Sequence, residues 1–189
     1  MKSEKLQGKD LINVGIYSAI YFVVVFAIAM LGYIPIFMVL ISALVPILAG
    51  IPFMLFLTKV KKFGMIWIMS LLMGLLMLLT GMGYYSLIVG AVTGLLAELI
   101  YKSGNYRSTG KAILTAGVFS IWVWGNYLPF FLDIEKYFST RQEYIDAMTR
   151  LMPAWMCPAL FAAAFIGGII GGVIGKSLLK KHFTRAGIA

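Results

Sequence analysis

The stretch from Leu11 to Thr58, LINVGIYSAIYFVVVFAIAMLGYIPIFMVLISALVPILAGIPFMLFLT, runs for 48 residues without a charged side chain. A bilayer core about 30 Å thick takes roughly 20 helical residues per crossing. The stretch is therefore two crossings, broken at Gly32-Tyr33-Ile34-Pro35. Glycine and proline stop helices there, and the tyrosine suits a membrane interface. The run lacks the period-2 alternation of a barrel strand and is far too long for one.

The same reading extends along the chain. Charge-free runs cover residues 63–97, 112–132 and 151–175, and the first of these breaks again at Thr80-Gly81-Met82-Gly83. The expected fold is an all-α integral membrane protein of six transmembrane helices in one domain, residues 1–189. The expected spans are 11–31, 35–58, 63–80, 83–101, 110–132 and 153–176. Pro46 and Pro52 predict a kink in the second, tolerable where neighbours satisfy the freed carbonyls. The first span is expected to remain in the protein, because Leu11–Leu31 exceeds the usual apolar core of a signal peptide, about 7–15 residues.

Composition agrees. Apolar residues make up 61% of the 189-residue chain and charged residues 12%, with a mean hydropathy of +0.95. Soluble domains run at about 45–50% apolar and about 25% charged. Disordered, collagenous, coiled-coil and disulfide-stapled classes are excluded. The single cysteine, Cys157, excludes an intramolecular disulfide, and His182 sits among lysines where a metal site is poorly served.

The net charge of +9 is a topology signal. With six spans, one side receives Lys2, Lys5, Lys9, Lys59, Lys61, Lys62, Lys102, Arg107, Lys111, Lys176, Lys180, Lys181 and Arg185. The other receives only Lys136, Arg141 and Arg150. Basic residues accumulate in cytoplasmic loops, so both termini are expected inside, as an even number of spans requires. Attraction to an anionic inner leaflet accounts for the charge, and no nucleic-acid partner is inferred. On the outer side, residues 140–152 predict an amphipathic loop helix. Ser139 and Thr140 precede Gln142 and Glu143 at capping-box spacing, and Tyr144, Ile145, Met148, Leu151 and Met152 fall on one face. It reads equally as a lid over the outer mouth or as an interfacial helix resting on lipid.

Catalytic groups are scarce. Glu98 is the one acid inside the expected spans. No protease dyad, metal cluster, charge relay or phosphate-binding G-x-x-x-x-G-K-[ST] loop can be assembled from it. The chain reads as a non-enzyme without a cofactor or metal. Glu98 reads either as a contact between helices or subunits, or as a snorkelling acid paired with Lys102 at i,i+4 spacing.

Polar and aromatic groups gather in the outer half: Trp122, Trp124, Asn126 and Tyr127 late in span five, Tyr84, Tyr85 and Ser86 opening span four, and Trp155 opening span six. An amide with rings would hold a small planar or amphipathic molecule. Asn126, Trp122, Tyr127, Tyr84, Tyr85 and Trp155 are the candidate ligand-binding set. An interfacial aromatic belt is the alternative for Tyr33, Trp155 and Tyr127. It suits Asn126 less well, since an amide inside the membrane needs a partner.

Six helices, both ends inside, few intramembrane charges and a pocket-like outer half resemble the substrate-binding S components of energy-coupling-factor (ECF) transporters. Lys9-Asp10-Leu11-Ile12-Asn13-Val14-Gly15-Ile16-Tyr17-Ser18-Ala19-Ile20-Tyr21, and Ala97-Glu98-Leu99-Ile100-Tyr101-Lys102 followed by Gly104-Asn105-Tyr106, are similar to the Trep-Strep, or MptD-like, subgroup. The resemblance spans essentially the whole chain. It implies a subunit of the bacterial cytoplasmic membrane that captures a small organic nutrient at its outer face. It further implies docking on a transmembrane T component that carries two ATPases, whose ATP turnover topples the S component to open its pocket inward. The family's docking face often carries Ala-x-x-x-Ala in helix one; the nearest match is Gly15-x-x-x-Ala19, with glycine in place of one alanine. The competing reading is a self-assembling structural or regulatory membrane protein. Its oligomer face would be the stripe of Gly167, Gly168, Gly171, Gly172 and Gly175 in span six. A secondary transporter is disfavoured by the scarcity of coupling acids and the lack of an evident three-plus-three repeat.

Overall fold

The computed structural model describes residues 5–138 and 142–183. Lys2, Ser139, Thr140, Arg141 and Arg185, named above for charge or capping, lie outside the described residues, as does the side chain of His182. Among the described residues the protein is entirely helical.

The chain runs α1 (Gly8–Ala29), a 3-10 turn (Met30–Tyr33), α2 (Pro35–Leu57), α3 (Met65–Leu79), α4 (Tyr85–Ser103) and α5 (Thr109–Ser120). A 3-10 segment (Ile121–Asn126) follows, then α6 (Leu128–Leu132), α7 (Ile134–Phe138), α8 (Gln142–Leu151) and α9 (Met156–Leu178), whose last turn widens over Leu179–Phe183. By length and composition, four helical segments are long and apolar enough to cross a membrane: Gly8–Tyr33, Pro35–Leu57, Tyr85–Ser103 and Met156–Lys181. Met65–Leu79 is a shorter apolar helix. Large apolar side chains stand exposed along these helices, among them Ile12, Ile16, Ile20 and Val23 on α1. An outward apolar surface of this kind suits lipid as solvent.

The breaks have local causes. At the start of α1 the Gln7 backbone N–H donates to Asp10 Oδ2 at 2.8 Å, satisfying one free donor of the first turn. Pro35 opens α2 at a position where its missing N–H is not needed. Gly64 precedes α3 with φ +99°, a left-handed conformation that favours glycine. Helix α2 continues through both Pro46 and Pro52.

The fifth expected span is not one helix. After Ser120 the chain tightens into 3-10 winding, and a separate short helix begins at Leu128 with Pro129 in its first turn. There the segment lies against α4. A Cβ on Gly125 would lie 2.7 Å from the Ser86 Cα, so the two backbones touch at a spacing no other residue permits.

The glycine stripe of α9 packs inward. Gly167 faces Ala43 and Pro46, Gly171 faces Pro46 and Ile47, and Gly175 faces Met54, all on α2. Gly168 and Gly172 face Ala116 and Ser120, and Ile113, on α5. Close backbone approach through small residues is how helices associate without a hydrophobic drive between them. The stripe therefore builds the α2–α9–α5 interior, and it offers no free face for an oligomer.

The two ends of the bundle differ. Lys62 Nζ, between α2 and α3, reaches Asp10 Oδ2 at 2.8 Å and the Lys5 carbonyl at 2.9 Å. Leu57, Thr58, Arg107 and Lys176 border one small cleft. These contacts bring the start of α1, the α2–α3 and α4–α5 connections and the end of α9 to a common end, the basic one. At the opposite end Tyr144 OH donates to the Gly32 carbonyl at 2.9 Å, and Tyr85 OH donates to Asp133 Oδ2 at 2.5 Å.

Candidate functional site

A cavity of about 540 Å³ opens at the end away from the basic cluster. Small-molecule sites run at roughly 300–1,000 Å³. Its walls come from the outer part of α1 (Val25, Phe26), the Met30–Tyr33 turn, α2 (Met38, Ile41, Val45), the end of α3 and its turn (Met77, Met82), and the 3-10 segment. Phe130 of α6 and Tyr144 of α8 close the rim.

Trp122, Asn126 and Tyr127 of the candidate set meet here. The 3-10 winding puts 122 and 126 on a common wall, and the tight approach at Gly125 presses that wall against α4. Asn126 is buried and both ends of its amide are engaged. Its Oδ1 accepts the Ser86 hydroxyl at 2.6 Å, and its Nδ2 donates to the Val123 carbonyl at 3.1 Å. The partner that an intramembrane amide requires is thus Ser86. Trp122, fully buried, donates through Nε1 to Tyr21 OH at 3.1 Å. Behind it Tyr21 meets Phe119 edge to face with centroids 5.7 Å apart, and Phe119 stacks on Phe53 at 4.1 Å. This aromatic block fixes the cavity floor, since rings in such contact have few alternative rotamers. Tyr127, also fully buried, donates to the Met38 carbonyl at 2.9 Å and so ties the 3-10 segment to α2.

The other three candidates stand elsewhere. Tyr84 and Tyr85 stack on one another at 4.5 Å, and Tyr85 turns to Asp133. Neither lines the cavity. Trp155 is 68% exposed at the start of α9, the position of an interfacial ring. Residues absent from the set do more. Tyr21 holds Trp122 from 101 residues away, Tyr144 reaches Gly32 across 112, and Met38, Met77 and Met82 form much of the wall. Sequence spacing carries no signal for contacts of that separation.

Helix α8 lies against the end of the bundle. Ile145 and Met148 are buried, and Tyr144 packs near Phe130 with centroids 6.4 Å apart. Its apolar face is thus turned to protein, beside the cavity mouth.

At the basic end Glu98 is fully buried. Its Oε2 accepts the backbone N–H groups of Ile66 at 2.8 Å and Trp67 at 3.3 Å, and its Oε1 accepts Tyr106 OH at 3.2 Å. Lys102 instead lies 5.0 Å from the centroid of the Phe63 ring. The i,i+4 pairing with Glu98 is not formed; the carboxylate caps the start of α3. Gly15 and Ala19 are exposed on α1, and a Cβ on Gly15 would meet nothing within 4 Å. That face is open to lipid or to another protein. No group of three or more His, Cys, Asp or Glu residues able to hold a metal occurs among the described residues.

No curated protein and no solved structure matches the chain. A family model does, over residues 8–185, and its description is a hypothetical bacterial integral membrane protein, Trep_Strep. With nearly the whole chain matched, this protein belongs to the Trep_Strep family of bacterial integral membrane proteins.

Proposed function

We propose that this protein is the substrate-binding membrane subunit, the S component, of an ECF-type ABC importer in the bacterial cytoplasmic membrane. It captures a small organic nutrient at its outer face. A transmembrane T component and two ATPases deliver the nutrient inward, and the chain itself carries out no catalysis.

The observation that carries this reading is the cavity built by Trp122, Asn126 and Tyr127 at the end opposite the basic clusters. With the basic end in the cytoplasm, the cavity faces outward, both termini lie inside, and α8 lies beside the outer mouth. This reading takes six crossings. Helix α5 and its 3-10 continuation together reach about 30 Å. Helix α3 reaches about 22 Å, a short crossing of the kind that local bilayer thinning accommodates. The exposed Gly15 and Ala19 give α1 a smooth face for the T component.

The test is affinity purification from native membranes in mild detergent, with mass spectrometry of the co-purifying proteins. One transmembrane protein recovered with two ATPases is the expected result. Recovery of this chain alone would remove the importer role.

A further inference from the structure

The importer role leaves the chemistry of the nutrient open, and the lining of the cavity narrows it. We infer that the cavity takes an uncharged, predominantly apolar small molecule, held by shape and dispersion; this rests on the substrate-binding reading above.

No charged side chain among the described residues lines the cavity. A carboxylate or ammonium entering it would lose hydration and meet no counter-ion among the described residues of the wall, which burial penalises heavily. Five polar side chains of the wall are already engaged within the protein. Trp122 Nε1 donates to Tyr21, Tyr127 OH to Met38 and Tyr144 OH to Gly32. Thr80 OH donates to the Met77 carbonyl at 2.8 Å. Asn126 accepts from Ser86 and donates to Val123. A sugar, an amino acid or a phosphate needs many more partners than this.

Most of the remaining lining is soft and apolar. Met30, Met38, Met77 and Met82 come from the Met30–Tyr33 turn, α2, α3 and the turn after α3. Thioethers are polarizable and adapt to a ligand's outline, and they make favourable contacts with aromatic rings. Phe26 and Phe130 add flat surfaces. The lining is that of a site for a neutral, ring-bearing molecule.

The experiment uses the full chain in lipid nanodiscs and two probes on one ring system, naphthalene-2-methanol and naphthalene-2-carboxylate. Titration calorimetry at pH 7.5 is corrected with empty nanodiscs. Saturable binding of the alcohol is expected, with the carboxylate at least tenfold weaker, about 1.4 kcal/mol. Met82 is half-buried at the mouth. Met82→Trp should therefore weaken the alcohol at least tenfold without changing the melting temperature. Equal or tighter binding of the carboxylate would overturn the inference, as would saturable binding of neither probe. Recovery of the T component and ATPases alongside either result would leave the importer role standing with a different substrate class. Saturable binding of the alcohol without those partners would keep the cavity's chemistry and remove the importer.

Discussion

Glu98 Oε2 accepts the backbone N–H of Ile66 at 2.8 Å across 32 residues of chain. The carboxylate on α4 thereby serves as the missing cap of α3, whose preceding residue Gly64 has no side chain to supply one. Glu98→Ala leaves the N–H groups of Ile66 and Trp67 without an acceptor in a buried place. A loss of about 1–3 kcal/mol is expected, with a smaller loss for Glu98→Gln, which keeps one oxygen. Lys102→Ala should change stability by less than about 0.5 kcal/mol, as for an ordinary surface position. Thermal melts in detergent decide it: a Lys102 effect matching that of Glu98 would restore the ion pair and remove the cap.

The α9 glycines separate from Gly15 by the same kind of measurement. A Cβ on Gly171 would fall 2.7 Å from the Ile47 carbonyl oxygen, and one on Gly168 would fall 2.6 Å from that of Ala116. Backbone cannot yield as a flexible side chain does. Gly171→Ala and Gly168→Ala should each lower the yield of folded, monodisperse protein sharply on size-exclusion chromatography. Folded monomer at wild-type yield would show that α9 does not pack as described.

Gly15 makes the opposite case, because nothing lies within 4 Å of its added Cβ. Gly15→Leu should leave the melting temperature unchanged or slightly raised, since glycine in a helix costs roughly 0.5–1 kcal/mol relative to alanine. Its expected defect is in partner recovery from native membranes. Wild-type recovery would move the docking surface off this face of α1.

Much of this architecture is legible in the sequence. Charge-free runs and their glycine and proline breaks locate α1, α2, α3, α4 and α9, because a long apolar helix announces itself residue by residue. The 3-10 winding at Ile121–Asn126 is not legible in that way. It brings Gly125 against Ser86, a contact with another helix that spacing along the chain does not reveal. The candidate site divides along the same line. Trp122, Asn126 and Tyr127 share one wall because they share one segment. Tyr85, at the start of α4, turns to Asp133 with Tyr84 stacked on it, and neither lines the cavity. Depth follows from position in a span, whereas facing depends on the packing of the whole bundle.

Ser86 and Asn126 form one unit, joined at 2.6 Å inside the bundle. Ser86→Ala and Asn126→Ala should each destabilise, and the double variant should lose less than their sum. A coupling of about 0.5–3 kcal/mol is the range for residues in one hydrogen-bonded network. Additive losses in a double-mutant cycle of thermal or denaturant unfolding would mean that the two side chains act separately.

The hydroxyl of Tyr144 ties α8 to the Gly32 carbonyl at 2.9 Å, beside the cavity mouth. Tyr144→Phe removes that bond and keeps the ring near Phe130. One neutral hydrogen bond is worth about 0.5–1.5 kcal/mol, enough to raise the opening frequency of α8 roughly two- to tenfold. Hydrogen exchange in Gln142–Leu151 should accelerate by that factor while exchange in α2 and α9 stays unchanged, because Ile145 and Met148 still anchor the helix. Acceleration across the whole bundle would assign Tyr144 to global stability. No acceleration anywhere would mean that the apolar face of α8 alone holds it against the mouth.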